Sequence, residues 1–270
     1  MMNLFLLEIK RSIKSNLIWS LSLGITMFAI IIIYPMVMDM MDALNEMFDY
    51  LESINSSFVE FINDFGGIPH NGIEYFATEG AMILQIAAGI YAAMIGFQII
   101  NKDDKEKTVE VLYTLPIHRV SYLLQKMLVV FVEIWIFMMV QILFVTMGFL
   151  LVSPNEAFHE LFIFGLFDIL MMLMISYLSM GLALVLKPQS SSFIPMAIPI
   201  PLYVITTLAY ATDNATLKLL KYISPFTFAE PVGLLKDHTD FEWLNFTIYS
   251  AFTILVIAFS IYRFKRREMI

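Results

Sequence analysis

Hydrophobic and polar positions separate along this chain into long blocks, without the short alternations of a soluble fold. Largely apolar runs fall at 16–38, 80–100, 127–152, 161–186, 191–211 and 243–262. A helix crossing the ~30 Å hydrocarbon core of a bilayer needs about 20 such residues. The pattern therefore predicts an all-α membrane protein with six transmembrane helices. The fifth run is the least regular, because Pro195, Pro199 and Pro201 each remove a backbone donor.

Three intervening pieces carry patterns of their own. At 3–14, Phe5, Leu6, Ile9 and Ile13 recur at helical spacing against Glu8, Lys10, Arg11 and Lys14. This predicts an N-terminal interfacial helix over 1–15, lying along the inner leaflet; the alternative is an extension of the first span. The segment 39–79 has nine carboxylates and no Lys or Arg. Met41, Leu44, Phe48, Leu51, Phe58 and Ile62 form a stripe within it at a spacing of three or four, broken only at Asn55, and Gly66-Gly67-Ile68-Pro69 ends the stripe. One or two amphipathic helices on the outer surface are expected, as structural cover, partner contact or substrate guide. The segment 222–237 is apolar but broken by Pro225 and Pro231. It reads as a re-entrant or interfacial hairpin whose backbone must be covered by protein.

Composition agrees with the blocks. The chain is 59% hydrophobic and 15% charged, against about 45–50% and about 25% in soluble domains, and its mean hydropathy is +0.78. Charge then supplies direction. With both termini in the cytoplasm, Lys10, Arg11, Lys14, Lys102, Lys105, Lys107, Arg119, Lys126, Lys187, Arg263, Lys265, Arg266 and Arg267 lie inside, and Lys218, Lys221 and Lys236 outside. That is 13 of the 16 basic residues on one side. A multi-pass protein of the cytoplasmic membrane is expected, with 101–126 as an inner loop. No nucleic-acid partner is expected; the net charge of −8 mostly reports how charge is partitioned across the bilayer.

Several chemistries find no residues to carry them. The chain has no cysteine, so disulfides and thiolate metal sites are excluded. Lys107-Thr108 lacks the preceding glycine of a phosphate-binding loop. His70, His118, His159 and His238 all fall in predicted loops, away from any intramembrane metal or serine-protease site. No enzyme, cofactor or metal is expected. Two acids do interrupt spans, Glu133 in the third and Asp168 in the fourth. A carboxylate at such depth defaults to a functional hypothesis. The two sit in opposite leaflets, so a direct pair is not expected. Each either hydrogen-bonds near an interface and supports packing, which is favoured, or lines a substrate path.

The inner loop, NKDDKEKTVEVLYTLPIHRVSYLLQK, opens with a solvated stretch to Lys107. Thr108 suits a helix N-cap, a short amphipathic helix follows over 109–115 with Val111, Leu112 and Leu115 on one side, and Pro116 stops it. Leucines exposed on a charged element suggest a docking surface. The series Glu106-x-Thr108-x-Glu110-x-Leu112-x-x-x-Pro116-x-x-Arg119, followed by Lys126, resembles the inner-loop signature of ABC-2 type transporter permeases. Lys107 stands where that family usually has glycine, and Tyr113 where it often has a second leucine. The N-terminal amphipathic helix, the six spans and Ser224-Pro225-Phe226 before the last span fit the same plan, that of an ABC-2 (type V) exporter-like permease.

The resemblance implies a coupling helix that seats in a groove of a separate ATPase. Glu106, Thr108, Glu110, Leu112, Leu115, Pro116, Arg119 and Lys126 would form that coupling element. It also implies two ABC ATPase subunits that bind the ATP, a second permease copy or a paralogue, and a place in the bacterial cell membrane. The cargo would be amphipathic or lipid-like compounds, peptides or drugs. A stand-alone secondary transporter or channel and a peptide-sequestering accessory protein are the rival readings. The three prolines of the fifth run suit the broken helix of a secondary transporter, but no inverted repeat is apparent.

Overall fold

The computed structural model describes residues 4–54, 69, 71–105, 119–154, 158–186, 191, 193–210, 212, 214–235 and 241–266, with backbone alone at 41–54, 104, 105 and 215. Among the described residues the secondary structure is helical throughout. Six longer helices are numbered here: α1 Leu4–Ile54, α2 Ala81–Lys105, α3 Arg119–Val152, α4 Phe158–Val185, α5 Pro199–Tyr210 and α6 Trp243–Arg266.

Helix α1 is one continuous element of 51 residues, about 75 Å at 1.5 Å per residue. No break separates the expected interfacial helix from the first span. Pro35 lies inside it without ending it; its missing N–H leaves one backbone carbonyl unbonded, which a spanning helix tolerates. The expected loop 39–79 is correspondingly shorter. Its first part, to Ile54, continues α1, and residues 55–68 lie outside the described residues. Its last part is already helical. Asn71 caps the turn Gly72–Tyr75, accepting from Glu74 N at 2.8 Å, and a π-turn over Phe76–Gly80 leads into α2. The wider turn lays the Phe76 ring against Gly80, where a Cβ would overlap it, and the ring packs edge-on to Phe149 and Phe164.

Among the described residues, five segments are long and apolar enough to cross a membrane: Leu4–Met40, Gly72–Asp103, Arg119–Val152, Phe158–Val185 and Trp243–Arg266. The fifth expected span is present as a shorter apolar helix, Ile194–Tyr210. It is a 3-10 turn, Ile194–Ala197, followed by the 12 residues of α5. Pro199 and Pro201 are accommodated because they fall in the first turn of α5, where no intrahelical donor is needed. At about 18 Å, α5 is shorter than the ~30 Å core.

The bundle is organised in pairs. α1 packs chiefly along α3, and α2 chiefly along α4. The second contact is close because Gly96 faces the Ser176 carbonyl, and a Cβ there would overlap that backbone. α6 lies against α4, with Gly181 under Val256. Outward faces are apolar: Ile18, Ile25, Ile33 and Met36 on α1, and Leu244, Ile254 and Leu255 on α6, are exposed. In lipid such a surface needs no further cover.

Candidate functional site: the loop root and its buried polar seam

Of the eight expected coupling residues, Glu106, Thr108, Glu110, Leu112, Leu115 and Pro116 lie outside the described residues. Arg119 and Lys126 are described, and they occupy different settings. Arg119 opens α3 and donates to the Lys265 carbonyl at the end of α6 (3.2 Å). Lys126, two turns on, is fully buried.

The Lys126 ammonium has three acceptors: Asp103 Oδ2 at 2.6 Å, Glu8 Oε1 at 3.2 Å and the Ile99 carbonyl at 2.5 Å. Arg11 completes a ring, reaching Asp103 Oδ1 at 3.0 Å and Glu8 Oε1 at 3.4 Å. The Tyr122 hydroxyl also donates to Asp103, and its ring stacks on Phe264 with centroids 5.7 Å apart. Two cations thus face two carboxylates. A buried ion pair is tolerable only when its desolvation is offset by such multiple bonds. Asp103 is two residues from the end of α2, and Lys126 is seven beyond the start of α3. Both roots of the 106–118 loop are therefore tied to each other and to the first turns of α1.

From this cluster a polar seam runs between α1 and α3. The Ser12 hydroxyl donates to the Glu133 carboxylate. Asn16 Nδ2 donates to the Glu133 carbonyl (2.8 Å) and to the Tyr91 hydroxyl (2.7 Å). Ser20 donates to the Asn16 carbonyl (2.7 Å), and Gln141 Nε2 donates to the Ser20 carbonyl (2.9 Å). Glu8, Ser12, Asn16 and Ser20 are four apart. Lys126, Glu133 and Gln141 are seven and eight apart. Each set lies on one face of its helix, and the two faces meet. The spacing is a signal present in the sequence, but Asn16, Gln141 and Asp103 are not among the expected site residues, and Glu8 is expected only on the polar face of the N-terminal helix.

Glu133 and Asp168 are not brought together. Asp168, buried in α4, accepts from Gln85 Nε2 of α2 at 3.3 Å. The same Gln85 nitrogen donates to the Ala229 carbonyl, so α4, α2 and the broken 219–235 segment meet at one amide. Between α2, α3 and α4 lies a small apolar cleft, lined by Phe76, Leu84, Gln141, Val145 and Phe164 among others.

The broken segment is protein-covered from Ser224 to Ala229, while Leu219 and Ile223 before it are exposed. It comprises a 3-10 turn Leu219–Ile223, a second over Thr227–Ala229 and the single turn Pro231–Leu235. Its carbonyls find side-chain donors. Asn245 Nδ2 reaches the Lys221 and Ser224 carbonyls (2.8 and 3.1 Å), Thr227 reaches Lys221 (2.7 Å), and the Tyr249 hydroxyl reaches Ile223. Glu230 caps the last turn, accepting from Val232 N (3.0 Å) and Gly233 N (2.5 Å). Phe226, Phe228 and Ala229 are buried. Lys221 pairs with Glu242 at 2.6 Å, and the hydrogen bond it donates to that carboxylate holds the ammonium above the ordinary lysine range.

These features meet in one architecture: apolar spanning helices, a charged loop rooted in a buried ion cluster, and a partly protein-covered broken segment before the last span. No curated protein matches the chain's sequence. The family model described as "ABC-2 family transporter protein" matches residues 2–269. With nearly the whole length matched, the chain belongs to the ABC-2 family of transporter proteins, as a multi-pass membrane permease that works with ATPase partners.

Proposed function

We propose that this permease is an exporter of amphipathic or lipid-like compounds, peptides or drugs, driven by ATPase subunits that dock on the 101–126 loop. Two ATPases and a second permease chain complete the transporter, in a bacterial cytoplasmic membrane with both termini inside. Leu112 and Leu115 are the docking residues, Thr108 caps the short helix that carries them, and Pro116 ends it. The single observation that carries this reading is the loop's anchorage. The end of α2 and the start of α3 are held together by Lys126 and Asp103, so a push on the loop meets a rigid base. Differential contact of the loop with two ATPase states then biases the bundle. The preponderance of Lys and Arg on the inner side supports the orientation.

The test is Leu112→Asp with Leu115→Asp in the chain expressed with its ATPase. Loss of the ATPase from pull-downs, with membrane insertion retained, is the expected result; unchanged association refutes docking at this loop. Vanadate-sensitive, ATP-dependent flux in vesicles separates the exporter from a stand-alone secondary transporter.

A further inference from the structure

The helices fall into two pairs, α1 with α3 and α2 with α4, held by different means. The first pair is joined by hydrogen bonds along a seam from Ser12 to Gln141. The second is joined by close backbone approach at Gly96 and Ser176. Contacts of α2 with α1 and α3 are sparser than the contacts within either pair. At the loop end, charge bridges them. Asp103 belongs to α2, Glu8 and Arg11 to α1, and Lys126 to α3; Lys126 also takes the Ile99 carbonyl of α2. Farther along, Asn16–Tyr91 and the stack of Tyr91 on Phe137 (centroids 4.6 Å) add uncharged contacts, and Tyr177 reaches the Met127 carbonyl at 3.4 Å.

We infer that Lys126 and Asp103 are positioning residues: they form a clasp that holds the α1/α3 pair to the α2/α4 pair at the loop root, so that the two pairs move together there. The 106–118 loop joins one member of each pair, α2 and α3. With the clasp closed, displacement of the loop is shared by both pairs and carried to the far end of the bundle. Without it, the loop's two roots separate and the displacement is absorbed locally. The consequence for transport rests on the function proposed above; the clasp itself does not.

Removing Lys126 alone takes one of two cations from two buried carboxylates, so the informative variant removes one charge of each sign. Lys126→Met with Asp103→Asn leaves Arg11 facing Glu8. Lys126→Arg keeps the charge as the conservative control. The chain has no cysteine, so spin labels enter at chosen sites without background. One pair, Leu6→Cys with Val185→Cys, reports α1 against α4 toward the loop end. A second, Leu151→Cys with Phe162→Cys, reports α3 against α4 at the far end. All four positions are exposed.

In nanodiscs, with the permease alone, the balanced variant should broaden and lengthen the Leu6–Val185 distance distribution. The Leu151–Phe162 distribution should stay as in the wild type, and Lys126→Arg should match the wild type at both. Superimposable Leu6–Val185 distributions overturn the clasp. Equal broadening of both pairs overturns it too, because that is general loosening of the fold. In the complete transporter trapped with ATP and vanadate, the wild-type far-end distance should shift and the balanced variant should lose the shift. A variant that retains it overturns the relay. A wild type that does not respond overturns the proposed function and leaves the first result standing.

Discussion

At the residue scale, the weight of the molecule falls on a few polar groups placed where they are costly. Lys126 is the clearest. From the sequence it stands at the head of a long helix, at the level expected for lipid headgroups. In the structure it is buried between Asp103 and Glu8. A lysine's flexible stem permits either placement; only the positions of α1 and α2 select one. The single change Lys126→Met removes one of the two cations that face Glu8 and Asp103, and breaking a buried pair in this way costs about 3–5 kcal/mol. The balanced Lys126→Met/Asp103→Asn variant should recover a large part of that loss. Thermal unfolding in one detergent checks the order: wild type highest, balanced variant next, Lys126→Met lowest. Equal melting temperatures for the single and the balanced variant would show that the charges are not coupled.

At the scale of elements, the broken stretch after α5 illustrates how irregular backbone survives beside apolar helices. Its carbonyls are supplied by Asn245 and Tyr249 from α6 and by Gln85 from α2. Asn245→Leu removes both of its bonds at once, leaving the Ser224 carbonyl without that donor. A buried group left unsatisfied costs about 1–3 kcal/mol. Amide exchange over 219–229 should accelerate in this variant while exchange in α3 is unchanged; unaltered protection of 219–229 would remove Asn245 from this role. The prolines around 195–201 told of interruption, and interruption is what α5 shows. Its consequence, an element too short for the membrane by itself, depended on how the 3-10 turn and α5 meet the hairpin. The long α1 is the opposite case. Nothing in its sequence stops a helix at residue 15, at Pro35 or at Met40, and the helix continues past all three.

At the scale of the whole molecule, two bodies of paired helices share one charged root, and the orientation of that root decides the account. Single-cysteine labelling uses the absence of native cysteine. Thr108→Cys should be shielded from an impermeant reagent in intact cells, and Thr216→Cys should be reached. The reverse pattern would invert the proposed topology and remove an ATPase from the loop.

Block hydropathy, the bias of basic residues and the loop series from Glu106 to Arg119 are properties of adjacent residues, and they were enough to set the membrane class and the ABC-2 family. The five long spans among the described residues were also legible to within about a dozen residues at their ends, because length and apolarity are local quantities. What tertiary structure alone decided is the pairing. Glu8 with Lys126 and Arg11 with Asp103 are separated by about a hundred residues, and Gln85 meets Asp168 and Ala229 across similar gaps. Each helix carries its polar face in its own spacing, but which faces close on one another depends on the balance of desolvation and bonding in the assembled bundle.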